Sequence, residues 1–216
     1  MYEMKRLLSV WTCTASAFLL YAMTAAAQSP QAVMDRSVAD FMAGRIAEAA
    51  SGFDSVARLA PGTAPQLWQR GIALYYAGRY KDCRAQFESH RTVNPNDVEN
   101  AAWHFLCVAR AESPQKARAA LLPVGPDSRA PMLEIYEMFQ GKRKPEEILP
   151  IAGTRPEAQF YAHLYLGLYY EALGNVRLAL DHITAAASDR FEQAGGYMHG
   201  VAKVHLQLLR RNRGAG

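Results

Sequence analysis

His104 and Cys107 stand three positions apart, a spacing that on a helix sets an imidazole and a thiol side by side on one face. Such a pair makes a nucleophile only if the thiol pKa is depressed and a substrate can reach it. The ordinary alternative is a core histidine beside a cysteine acting as a small apolar residue. The six histidines, His90, His104, His163, His182, His199 and His205, include no close pair backed by a carboxylate, and neither CxxC nor HExxH occurs. Glu146 and Glu147 are adjacent and so point to different sides of a helix; their place at a helix start explains them better than acid–base work does. Gly195-Gly196 lacks the surroundings of a phosphate loop. The expectation is therefore no catalytic centre, no metal and no cofactor. The competing one is a hydrolase-type enzyme using Cys107 and His104.

The elements that would position these side chains are helices. The stretch Gln66 to Asp97 has fixed points at Gly71, Gly78, Cys83, Phe87 and Pro95, an order of small and large residues that describes two helices pressed together across a tight turn. Pro95 ends the second helix, because proline disfavours helical geometry in the residue before it. A shift of 34 residues backward takes Gly78, Phe87 and Pro95 to Gly44, Phe53 and Pro61, and Cys83 to Ala49. Forward, it takes Cys83 to Ala117 and Phe87 to Leu121, but Gly78 to Glu112. The same relative positions recur late in the chain as Gly167, Tyr170, Gly174, Ala179, Ile183 and Ala186. At these positions the sequence resembles the tetratricopeptide repeat (TPR) family, whose period is 34 residues. That resemblance implies an all-α solenoid of antiparallel helix hairpins, roughly five of them, in which the first helix of each pair lines a concave side.

Taken in order, hairpin one runs from Gln31 through Ile46 to Val56 and stops before Ala60-Pro61-Gly62. Hairpin two follows from about Pro65, and hairpin three begins at Asp97 and restarts at Ser113-Pro114, with proline at the first helical position. Val124 to Asp127 is the clearest loop. A shortened pair covers Met132 to Phe139 and Pro145 to Leu149, and the regular pattern returns over Tyr161 to Ser188. A final helix from about Gln193 to Arg211, apolar at Val201, Val204, Leu208 and Leu209, reads as the polar-backed C-terminal capping helix of a solenoid.

The length of 216 residues with 50% hydrophobic and 20% charged content is an ordinary folded composition. A net charge of +4 without a basic stripe gives no footprint for nucleic acid. Lys5 and Arg6 precede the apolar run Leu7 to Met23, and Ala25-Ala26-Ala27 precede Gln28, so residues 1–27 are expected to be a cleaved secretory signal, with a single membrane anchor as the alternative. The expected mature domain is then 28–212, with a flexible tail at 213–216. Export to the periplasm or outside makes Cys83 and Cys107, on neighbouring helices, either a disulfide or two buried thiols.

Position transferred from the repeat family puts Met34, Val38, Phe41, Met42, Trp68, Ile72, Tyr75, Tyr76, Leu106 and Arg110 on the concave side, an aromatic groove expected to bind other proteins. The alternative is that a neighbouring helix or a second copy of the chain fills it. Within the repeat family, the runs Arg70 to Tyr76, Gly78-Arg79, Asn94 to Asp97, Glu137 to Gly141, Tyr165 to Tyr170 and Leu173 to Asn175 are similar to the NlpI-like envelope lipoproteins of bacteria. This resemblance implies a periplasmic homodimer without catalytic activity, an adaptor or scaffold bringing envelope proteins, peptidoglycan hydrolases among them, to a protease. A permanent structural subunit of an envelope complex is a further alternative. One departure is plain: Gln28, where a lipoprotein needs cysteine, follows the cleavage site.

Overall fold

In the computed structural model, residues 29–214 are described, and they form helices and turns with no strand among them. The expected signal over residues 1–27 lies outside the described residues, and so do the last two positions of the expected tail. No helix among the described residues is long and apolar enough to cross a membrane.

The order is α1 (Pro30–Met42), α2 (Ile46–Leu59), α3 (Trp68–Tyr76), α4 (Tyr80–His90), α5 (Val98–Ala111), α6 (Pro114–Ala119), α7 (Met132–Gln140), α8 (Ile148–Ala152), α9 (Pro156–Ala172), α10 (Val176–Ala186) and α11 (Glu192–Gly214). Short 3-10 turns, Pro61–Gln66, Pro145–Glu147 and Asp189–Phe191, precede α3, α8 and α11. Successive helices pack as pairs, α1 on α2, α3 on α4, α5 on α6 and α9 on α10, and adjoining pairs touch through α2 with α3 and α4 with α5. Side-chain caps set several starts: Ser29, Asp97, Ser113 and Asn175 each accept a backbone N–H from the first turn of the helix they open.

The glycines explain why the pairs close so tightly. A methyl group on Gly71 would stand 2.6 Å from Phe87 Cζ, and one on Gly167 would stand 2.6 Å from Ile183 Cγ1. Only hydrogen fits between these helices. Gly44, Gly78 and Gly174, with φ of 74°, 72° and 78°, end α1, α3 and α9 in the left-handed conformation that lets a second helix start within a few residues.

The last helix departs from the expected end cap. α11 bends at Gly196 (φ 50°, ψ −126°) and crosses α9 and α10 to reach α1. A Cβ on Gly200 would meet the Met42 sulfur at 2.4 Å, and one on Gly44 would meet Gln207 Oε1 at 3.2 Å, so first and last helices are in direct contact. The apolar positions Val201, Val204 and Leu209 are buried, as is His205. Within the described residues the helix continues through Gly214.

Candidate functional site

The Asn94-Pro95-Asn96-Asp97 turn sets one wall of the site. Asp97 opens α5 by accepting the Glu99 N–H at 3.0 Å, and the Asn94 amide donates to its other oxygen at 3.1 Å. Arg129, from the loop after α6, reaches in to Asp97, Glu99 and Asp127 at 2.7 Å each. The far oxygen of Glu99 accepts the Tyr165 hydroxyl at 2.6 Å. Burial, reinforced by the Asp97 charge, raises the Glu99 carboxyl above its ordinary value, although Tyr165 and Arg129 pull the other way. Three carboxylates thus share one guanidinium, an excess of two negative charges.

Aromatic side chains supply the other walls. Trp68 opens α3, and Tyr197 follows the bend in α11; their rings meet edge to face with centroids 4.9 Å apart. Tyr161, on α9, stacks on Tyr165 at 6.4 Å and carries the Arg129 guanidinium 5.7 Å from its ring centre. Between these walls lies a cavity of about 320 Å³ whose lining also includes Ile72, Asn100 and Trp103. Its partly exposed side chains are Trp68, Asn94, Asp97, Glu99, Tyr161 and Tyr197. Asn100 Oδ1, Trp103 Nε1 and the Tyr197 hydroxyl are buried without a hydrogen-bond partner. His90 Nδ1 lies 2.8 Å from the Pro65 carbonyl, which can only accept, so this nitrogen carries the proton.

The groove expected from the sequence is filled by the chain itself. Phe41, Ile72, Leu106 and Tyr75 are buried, at 0%, 1%, 0% and 5% exposure, so they form no open groove. Phe41 stacks on Tyr197 at 6.4 Å, Met42 lies against Gly200, and the Tyr76 hydroxyl is 2.9 Å from His205 Nδ1. Met34 and Val38 are half-buried against the core. Arg110 stays at the surface, over the Tyr80 ring at 5.6 Å and 3.9 Å from Glu171. Of the expected groove, Trp68 and Ile72 alone line the cavity. The physical reason is the apolar face of α11: with Val201, Val204 and Leu209 to bury, it lies on the aromatic side rather than standing at the end of the array. No family model matches the chain.

The residues that could have done chemistry are otherwise engaged. Cys107 is bonded to Cys83, with Cα atoms 5.9 Å apart, and both are fully buried. His104 is 1% exposed; burial lowers its pKa even though Glu88 stands 3.4 Å from Nε2. A sulfur held in a disulfide offers no thiolate, so the dyad geometry is not assembled here. Glu147 accepts the Lys144 N–H at 2.8 Å, a helix-start role. His163 on α9 and His182 on α10 face each other with Nδ1 atoms 3.1 Å apart, a close pair with no carboxylate hydrogen-bonded to either ring among the described residues. No group of three or more metal-ligating side chains occurs among the described residues. Asn100, Tyr161 and Tyr197 were outside the expected site. Tyr161 sits on the first helix of its pair and could have been found by that position, whereas Tyr197 enters through a bend that no spacing signals.

Proposed function

We propose that this chain is an exported, non-catalytic adaptor of the tetratricopeptide type, which holds a segment of another polypeptide in the cavity between α3, α5, α9 and α11. The observation that carries the reading is the cavity itself: about 320 Å³, walled by Trp68, Tyr161 and Tyr197, and lined from the first helices of three packed pairs. That is the side a TPR solenoid presents to its partners. The spacing that Gly71 and Phe87 share with Gly167 and Ile183 supports the same reading, because each glycine meets its large partner across a helix pair. The similarity to NlpI suggests the setting, an envelope scaffold linking client proteins to a protease or a peptidoglycan hydrolase, and the Cys83–Cys107 disulfide agrees with an oxidising compartment. The adaptor proposed here differs in one respect, since α11 lies over the concave side and leaves separate cavities there, the one at Trp68 and another of about 210 Å³ lined by Tyr75, Tyr76 and Arg110.

Affinity capture with residues 28–216 from envelope extract, followed by reconstitution with the purified captured protein, tests the proposal. A Trp68→Leu chain is expected to lose the reconstituted partner, and retention at full strength would refute the cavity as the contact. Sedimentation of the mature chain alone separates a homodimer from partners of another kind.

A further inference from the structure

The chain as a whole is basic, at +4, yet the cavity is acidic. No Lys or Arg among the described residues lines it, whereas Asp97 and Glu99 do, with side chains 21% and 15% exposed. Asn94 and Tyr165 donate neutral hydrogen bonds to these carboxylates, and Arg129 is the one cation paired with them and Asp127 among the described residues, so negative charge remains in excess. The carboxylates stand beside three partly exposed aromatic rings, Trp68, Tyr161 and Tyr197. Ring faces attract cations, and desolvated carboxylates attract them more strongly.

A second observation, independent of the acids, points to a donor-bearing guest. Asn100 is 3% exposed, and its Oδ1 is an acceptor with no partner; a buried acceptor left unpaired is costly unless something donates to it. The Trp103 indole N–H, 1% exposed and also unpartnered, is a donor, which a carbonyl of the guest would answer. A guanidinium or ammonium on a peptide carries both kinds of group. We infer that the cavity between α3, α5, α9 and α11 receives a basic side chain, arginine or lysine, of a partner polypeptide, with its cation between the aromatic rings and the Asp97–Glu99 carboxylates. This rests on the adaptor reading and names the chemistry its partner must present.

The test is a titration of isotope-labelled residues 28–216 with the tripeptide Ac-Gly-Arg-Gly-NH2, with its citrulline counterpart, which keeps the shape and removes the charge, and with putrescine. Binding of the arginine peptide, read as shifts of the Trp68 and Trp103 indole and Asn100 amide signals, is expected to be about tenfold tighter than that of the citrulline peptide. Glu99→Gln is expected to weaken the arginine peptide more than the citrulline peptide, with helix content constant by circular dichroism. Equal affinity for both peptides, or no binding of either, overturns the inference without use of any variant. Putrescine binding as tightly as the peptide overturns the polypeptide as source of the cation. If the captured protein is lost on Trp68→Leu while arginine and citrulline are not distinguished, the adaptor reading survives and this one fails. If the arginine peptide binds but no protein is captured, the reverse holds.

Discussion

The Tyr76 hydroxyl lies 2.9 Å from His205 Nδ1, joining α3 to the last helix across 129 residues of chain. Tyr76 ends an aromatic run that could have faced solvent, and instead it fastens α11 over that run. His205 is 3% exposed, and its Nε2 lies 3.2 Å from Glu171, at ion-pair distance though without hydrogen-bond geometry. Tyr76→Phe keeps the ring and leaves a buried imidazole nitrogen unpaired, so a loss of about 1–2 kcal/mol is expected. Urea unfolding at neutral pH measures it, and an unchanged midpoint would mean that the contact contributes nothing to holding α11.

Gly71→Ala sets two effects against each other. Alanine favours a helix by about 1 kcal/mol over glycine, but its methyl would lie 2.6 Å from Phe87 Cζ, and overpacking costs about 1–3 kcal/mol. Phe87 is 1% exposed and stacked on Trp103 at 6.4 Å, so the clash wins and the variant unfolds at lower denaturant. Combining it with Phe87→Leu is expected to cost less than the sum of the single changes. Strict additivity would show that the two residues do not touch.

The same pair shows what could be read before coordinates. Gly71, Phe87 and the turn at Gly78 are local, fixed by spacing within one helix pair, and so the boundaries of α1, α2, α4 and α5 fall where caps and glycines put them. The path of α11 is not local. Its face of Val201, Val204 and Leu209 suits an end cap as well as a groove, and the choice depends on surfaces more than a hundred residues away. For that reason Trp68 and Ile72 were legible as site residues while Tyr197 was not. Arg129 was equally hidden, because a loop position says nothing about which carboxylates a long side chain will reach.

The Cys83–Cys107 bond closes a loop of 24 residues between α4 and α5. On the chain-entropy account a loop of that size stabilises by about 3 kcal/mol. Cys83→Ala/Cys107→Ala is therefore expected to lower the melting temperature markedly, and reductant should bring the wild-type chain toward the variant's value. Thiol titration of unfolded, unreduced residues 28–216 is expected to find no free cysteine. Two free thiols there would return Cys107 to the field of possible nucleophiles.

His163 and His182 give the chain a dependence on mild acid. Their Nδ1 atoms are 3.1 Å apart, so one ring must donate and the other must accept, an arrangement available only while at least one is neutral. Burial, with the neighbouring His182 and Arg190 charges, lowers the His163 pKa from 6.5 to about 4, and burial also lowers that of His182. A histidine whose folded pKa is depressed contributes stability that is fully present above the unfolded value of 6.5 and is lost as pH falls toward about 4. The melting temperature should therefore decline across that window. Asp54, half-buried but held below its ordinary value by Arg79 and Arg70, adds its own loss only at lower pH, as the carboxylate protonates. His163→Phe, which keeps a ring against Phe191 and cannot titrate, is expected to flatten the decline between pH 6.5 and 4 and to leave the steeper acid limb intact. Proton NMR of the wild-type imidazoles gives the direct check: a His163 midpoint near 6.5 would mean that the two rings are not packed together as found.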